Sequence, residues 1–439
     1  MKFFKKSNKF SLLILAVLFV LPVAFFTGGC GSSSDPEPAY KTMKVAPGGE
    51  FKVLQLTDIH LTGAPANIHE ILEPGTTDRA CGVSAYDKDC FALQAMDDLV
   101  AQTKPDFIAV TGDLAYVNEE IQKDDIFGPG TGHTISIGHN DNLEPIKRFV
   151  ERIESYNIPW AFVFGNHDAE GIHKRKDLGE YFEDRSKLKN CVFKSGPEDV
   201  DGVGNYVVNV ENSDGTINKA LVFIDSHSYL SPEAQGDNWF SKHFPDKYDY
   251  IHTNQLEWYE TALKDVAKEY RLPEGDLPKS FCFFHIPLVE YKTAWDTRDT
   301  SSDSQYIHGV NGEVKMDWSD PSNPRVIATD CVCHPFVGTA ADGIDYDGGK
   351  MFDKILALGS TEAVFCGHDH LNNYNVKYKG VNLVFGKAID YAAYAPVDKD
   401  DQRGATLITI KDGGSFDIQN IDYHGDLYNK FIAEHGRRY

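Results

Sequence analysis

Five short apolar runs in this chain each end in a polar group assembled from Asp, His and Asn, and that repetition constrains the fold more than any other feature. Phe51 to Thr57 runs into Asp58-Ile59-His60, and Phe107 to Thr111 into Gly112-Asp113. Pro159 to Phe164 delivers Gly165-Asn166-His167-Asp168. Phe281 to Phe284 leads to His285-Ile286-Pro287, and Ala363 to Cys366 leads to Gly367-His368-Asp369-His370. Short apolar runs bounded by turn residues read as buried strands. Strands of such sheets end along a shared edge, where residues distant in sequence converge. Solvated loop residues have no reason to be Asp, His or Asn at all five ends. Imidazoles and carboxylates are, by contrast, the side chains that hold transition metals.

The remaining elements follow from periodicity. Phe91–Thr103, Leu143–Tyr156 and Thr253–Glu269 carry apolar residues at helical spacing, and Tyr206–Val210 with Ala220–Ile224 reads as a hairpin. Val381–Phe385 and Ala405–Ile410 close the chain as strands. Strands alternating with helices early, then mostly strands, predict an α/β fold of the α+β type: a two-sheet mixed β-sandwich flanked by helices, with the polar groups at its strand ends. No repeat or long linker divides residues 46–430, which are expected to form one domain. The loop-rich segment 291–347 is expected to be an insertion over the site.

The N-terminus carries four lysines before an apolar run from Phe10 to Phe26, the pattern of an export signal over residues 1–29. Thr27-Gly28-Gly29-Cys30 resembles a bacterial lipobox, with Cys30 as the lipidated residue and residues 30–45 as a flexible tether. Gly31 follows where an aspartate would retain the protein at the inner membrane, so the expected location is the outer membrane of a Gram-negative cell, periplasmic or surface-facing. A net charge of -23 argues against nucleic-acid binding, which needs basic patches. Of the eight cysteines, Cys81 and Cys90 are the first choice for a disulfide. Cys282 and Cys366, inside apolar strands, read as core thiols, and Cys331 and Cys333 are open to pairing with Cys191 or holding a loop.

The five polar groups, in this order, resemble the motif blocks of the calcineurin-like metallophosphoesterases over roughly residues 50–412. FFHIPLVEY, YIHTNQLEWYE and CGHDHLNNY are similar to the short purple-acid-phosphatase-like branch beyond the ligands themselves. The resemblance implies that Asp58, His60, Asp113 and His370 bind one metal, and Asp113, Asn166, His285 and His368 a second, with Asp113 bridging. The two ions would be Fe, Mn or Zn. It further implies phosphate-ester hydrolysis by a metal-bridging hydroxide, with His167 as general acid and Asp168 orienting its ring.

One departure from the branch concerns Tyr116, which stands where purple acid phosphatases carry a tyrosinate ligand. Those enzymes usually lack a histidine at the position of His60, so His60 is taken as the ligand and Tyr116 as an alternative ligand or a pocket wall. His308 is a candidate phosphate contact, whereas His227 and His252 read as surface or structural residues. The expected activity is a phosphomonoesterase, with a phosphodiesterase of nucleotides or lipid head groups as the alternative. The reading outside enzymes is a binding lipoprotein that kept the fold and lost the chemistry.

Overall fold

Alternate residues of the apolar runs face two different hydrophobic layers, which is why those runs show no polar face. The computed structural model describes residues 41–66, 83–117, 140–229, 248–298, 350–370, 372–393 and 403–435, with five short strands between 306 and 346. In chain order the strands begin with β1 (Lys41–Lys44), β2 (Glu50–Leu56), β3 (Phe107–Val110), β4 (Trp160–Phe162), β5 (Tyr206–Glu211) and β6 (Ile217–Phe223). β7 (Ser280–Phe283) and β8 (Tyr306–His308) precede two hairpins, β9 (Val314–Asp317) with β10 (Arg325–Thr329) and β11 (Gly338–Thr339) with β12 (Asp345–Tyr346). The chain continues through β13 (Thr361–Cys366), β14 (Asn375–Tyr378), β15 (Val381–Phe385), β16 (Gly404–Lys411) and β17 (Phe416–Asp422). Helices α1 (Ala85–Thr103), α2 (Leu143–Ser155), α3 (Arg175–Phe182) and α4 (Thr253–Glu269) fall in the first two thirds. α5 (Glu290–Asp296), α6 (Lys350–Leu358) and α7 (Leu427–His435) follow.

Two mixed sheets form the core, as the sequence predicts. One has the order β1-β5-β6-β7-β13-β15-β14-β8, the other β17-β16-β2-β3-β4. Leu221, Phe223, Phe281, Phe283, Ala363 and Phe365 of the larger sheet belong to the layer between the sheets. Their alternates Ala220, Val222, Cys282, Val364 and Cys366 join a second layer with α4, α5 and α6. Burial of both faces favours continuous apolar strands. Cys282 and Cys366 are buried free thiols on neighbouring strands, as expected for core residues.

A ladder of aromatic rings crosses four adjacent strands of the inner layer. Tyr206 stacks on Phe223 at 4.9 Å, Phe223 on Phe283 at 5.0 Å, and Phe283 on Phe365 at 4.9 Å between ring centroids. Tyr206 also ties the sheets together, since its hydroxyl accepts from Phe162 N–H at 2.9 Å and donates to Phe162 C=O at 2.8 Å. Phe283 has ring neighbours on both sides, so Phe283→Ala is expected to cost about 3–5 kcal/mol of unfolding free energy. Denaturant unfolding checks this, and a loss below ~1 kcal/mol would show that the ladder closes over the gap.

Several elements differ from expectation for local reasons. α1 starts at Ala85 rather than near Phe91, because Ser84 and Asp87 form a capping box that begins the helix earlier. Tyr291 is no insertion residue: it is fully buried and its hydroxyl donates to Val364 C=O at 2.9 Å. Among the described residues no helix is long and apolar enough to cross a membrane. The N-terminal apolar run, Cys30, Cys81, Cys331 and Cys333 lie outside the described residues, and Cys90 carries a free thiol.

Candidate metal centre

Parallel pairing gathers the polar groups. β2, β3 and β4 run side by side in one direction, so Asp58, Asp113 and Asn166 leave from one edge. β7 and β13 are parallel neighbours in the other sheet and deliver His285 and His368. The two edges are joined by a bridge between Thr57 and Ala388 and by Gln55, whose side-chain amide donates to Cys366 C=O at 3.0 Å.

The backbone bends sharply to aim these residues inward. Asp58, His60, Asp113 and His368 have φ of 49°, 51°, 54° and 77°, in the left-handed region. Such conformations cost of order 1–3 kcal/mol each and concentrate at functional sites. Close approach also explains two glycines. A Cβ at Gly165 would overlap the Asp113 carboxylate, and one at Gly367 would overlap Thr57 Oγ1 and lie 2.5 Å from Asp58 Oδ2.

Seven side chains meet in two buried groups that share one carboxylate. Asp58, His60, Asp113 and His370 form the first group, and Asp113, His285 and His368 the second, with ligand atoms in each within 4.8 Å of one another. Asn166 completes the second, its Oδ1 3.0 Å from His285 Nε2 and 2.9 Å from His368 Nδ1. Asp113 Oδ2 lies 3.4 Å from His60 Nε2 and 3.0 Å from His285 Nε2, between the groups.

The donor chemistry fits two metal ions. His60 Nε2 and Asp113 Oδ2, which face each other across the first group, are buried without a hydrogen-bond partner. Each such orphan costs roughly 1–3 kcal/mol unless something satisfies it. His285 donates from Nδ1 to the Thr111 carbonyl at 2.8 Å, which leaves the Nε2 lone pair for a metal. Burial opposes charge on His60, but Asp113 and Asp58 outweigh it and raise the ring to about 9. At His60 the neighbouring carboxylates thus leave a local shortage of positive charge.

The structure also corrects one role and adds two residues. Asp168 does not orient His167. Its carboxylate accepts four backbone N–H groups, from Asp113 at 3.0 Å, Leu114 at 2.7 Å, Ala115 at 3.1 Å and Gly165 at 2.7 Å. It holds the Asp113 and Gly165 turns against each other. The partner of His167 Nδ1 is Glu170 Oε2 at 2.8 Å, and Glu170 Oε1 accepts from Tyr229 OH at 2.8 Å. Burial works against a charged His167, but the Glu170 and Asp113 carboxylates outweigh it and raise its pKa. The second addition is Asp390, beyond β15, whose Oδ2 lies 3.1 Å from His370 Nδ1. Metal-ligating histidines are commonly oriented by a carboxylate in this manner.

His167 is a quarter exposed, with ring centroids of His60 and Tyr116 each at 5.2 Å. Tyr116 therefore lines the site beside His60, and burial pushes its phenol up to about 12, which disfavours a tyrosinate. His308 ends β8, opposite Asn375 of β14, and its side chain lies outside the described residues. His227 and His252 stand apart from both groups.

Comparison with known proteins agrees with this geometry. The family model described as calcineurin-like phosphoesterase matches residues 51–273, half of the chain. The chain is 27% identical over 368 residues to an Arabidopsis thaliana protein named "Probable inactive purple acid phosphatase 29", covering 81% of this chain and 75% of that one. It is 27% identical over 337 residues to Phosphatase DCR2 of Saccharomyces cerevisiae, covering 74% of this chain and 45% of that one. A solved dimetal phosphatase from Danio rerio is similar at a TM-score of 0.42 and 10% identity, over 85% of this chain and 99% of that one. On the family-model match over half of its length and its two-group site, the chain belongs to the calcineurin-like phosphoesterase family and is a metal-dependent phosphoesterase.

Proposed function

We propose that the protein hydrolyses phosphomonoesters, with His167 as the general acid and Glu170 holding its ring. The observation that carries this reading is the full ligand set in two groups sharing Asp113, with His167 on Glu170 beside it. Ions held there would supply a water of lowered pKa and neutralise the phosphoryl oxygens. The N and O donors suit Fe, Mn or Zn. Asp113 keeps the two groups at a fixed separation, and Asp390 and the Thr111 carbonyl hold His370 and His285 in register. His167, with Nδ1 on Glu170, has Nε2 left to carry the proton that the leaving oxygen needs.

Names of relatives point both ways, since the Arabidopsis protein is called inactive and the yeast one a phosphatase. The unbroken ligand set supports an active enzyme here. Initial rates of the metal-loaded protein on an aryl phosphomonoester and the matching diester test the proposal. Faster monoester turnover is the expected result, and a preference for the diester would move the substrate to nucleotide or lipid diesters.

We further propose that Cys30 is lipidated and tethers the enzyme to the outer membrane, on the strength of the export pattern that precedes it. Cys30→Ala is expected to move the protein from the membrane fraction to the soluble one. Retention in the membrane fraction would contradict the anchor.

A further inference from the structure

We propose that His227, Asp249 and His252 form a third divalent-metal site, distinct from the catalytic pair and suited to zinc. One nitrogen of each ring and one Asp249 oxygen lie within 4.8 Å of one another, half-buried at the point where the chain leaves β6 and enters α4. Two imidazoles and a carboxylate make the donor set of a zinc site with one position open to water.

Both rings are prepared for this by their neighbours. Gln255 is fully buried, and its Nε2 donates to Asn205 Oδ1 at 3.1 Å and to the Asp225 carbonyl at 2.7 Å. Those two acceptors fix the direction of the amide, so Oε1 is the atom that faces His252 N–H at 2.8 Å and His227 Nε2 at 2.9 Å. An amide oxygen only accepts. His227 therefore carries its proton on Nε2, and in the neutral ring Nδ1 keeps a lone pair. On His252, Asp201 Oδ2 takes Nδ1 at 2.8 Å, which leaves Nε2 beside Asp249 Oδ1 at 3.2 Å. A carboxylate behind one imidazole nitrogen, with the other nitrogen facing a metal, is the usual support for a histidine ligand.

Two further features fit a cation. The imidazoles stack face to face with centroids 4.2 Å apart and planes 20° apart, an arrangement that two positive rings would resist. At least one ring therefore stays neutral. The start of α4 disfavours a positive charge nearby, and Asp201 and Asp249 together supply the offsetting negative charge.

The position gives such a metal a mechanical role. It would clamp residue 227 to residues 249 and 252, where Asp249 N–H already donates to the Ser228 carbonyl at 2.9 Å. Between them, Ser228 Oγ donates to the Asn166 carbonyl at 3.2 Å and Tyr229 OH meets Asn166 Nδ2 at 3.1 Å. The clamp would thus brace the backing of one ligand of the catalytic pair.

The test is a zinc count by equilibrium dialysis of the full chain against buffered free zinc, followed by elemental analysis. Wild type is compared with His227→Ala and Asp249→Asn, each with a thermal melt to establish folding. The asparagine keeps the shape of Asp249 and its contact with Tyr250 N–H, so at least one variant should fold. Each folded variant should hold one zinc fewer per chain than wild type at the same free zinc. Equal counts in wild type and a folded variant would overturn the proposal, whatever the catalytic pair retains.

Discussion

Asp113→Asn is expected to weaken metal binding by roughly 10²–10⁴-fold and to remove most turnover with it. The carboxylate is the one donor common to both groups, and its Oδ2 lies between His60 and His285 with no hydrogen-bond partner. Breaking a buried charge pair by deleting one partner costs about 3–5 kcal/mol, which gives the stated range. The amide keeps the shape and the backbone turn, so the fold should survive. Elemental analysis after dialysis, beside circular dichroism, checks both points. An Asp113→Asn protein that retained two metals at wild-type affinity would show that the groups do not share a bridging ligand.

The second large effect separates proton donation from metal binding. His167→Ala should keep its metals and lose about 10²–10⁴-fold in turnover of an alkyl phosphomonoester, the range typical of a general acid. An aryl ester with an acidic phenol leaves without much help, so its rate should fall far less. Glu170→Gln preserves the size of the side chain but removes the charge that favours a protonated His167. It should show the same dependence on leaving group at a smaller amplitude. Equal losses on both esters for His167→Ala would remove His167 from the role of acid. A wild-type pattern in Glu170→Gln, with the expected pattern in His167→Ala, would leave the acid standing and remove its orienting partner.

The choice between Asp168 and Glu170 shows where a sequence becomes hard to read. Ligands at strand ends were legible because their position is local: an apolar run stops and the next polar residues lie at the sheet edge. Asp168 follows His167 directly and looked like its partner. Its lone pairs were instead taken by Asp113, Leu114 and Ala115, which lie on another strand's turn 53 to 55 residues away. Glu170 reaches the ring only because the turn after Asn166 curls back, as the Glu170 N–H to His167 carbonyl bond of 3.1 Å records. Asp390 was hidden for a similar reason. It lies five residues past β15, and it reaches His370 only through the Thr57–Ala388 bridge between the sheets.

Elements were missed where packing, rather than pattern, decides. β17 is half exposed along its length and, among the described residues, pairs with β16 alone, so its sequence FDIQNID shows a weak alternation. α3 has eight residues and buries only Leu178, Gly179 and Phe182, too few to mark a helix in isolation. α5 carries Tyr291 into the core from a stretch that reads as loop, because a single buried aromatic anchors it. The sandwich itself was legible, since strands apolar on both faces require two covering layers.

The central claim is that turnover depends on two metals held by one shared site. The most direct measurement strips the protein with a chelator, then follows phosphomonoesterase rate against added metal per chain. Asp249→Asn serves as the background, so that the separate histidine cluster does not enter the count. The rate should be absent in the stripped protein and should rise to a plateau at two equivalents. Full activity after verified metal removal, or a plateau at one equivalent, would contradict the account.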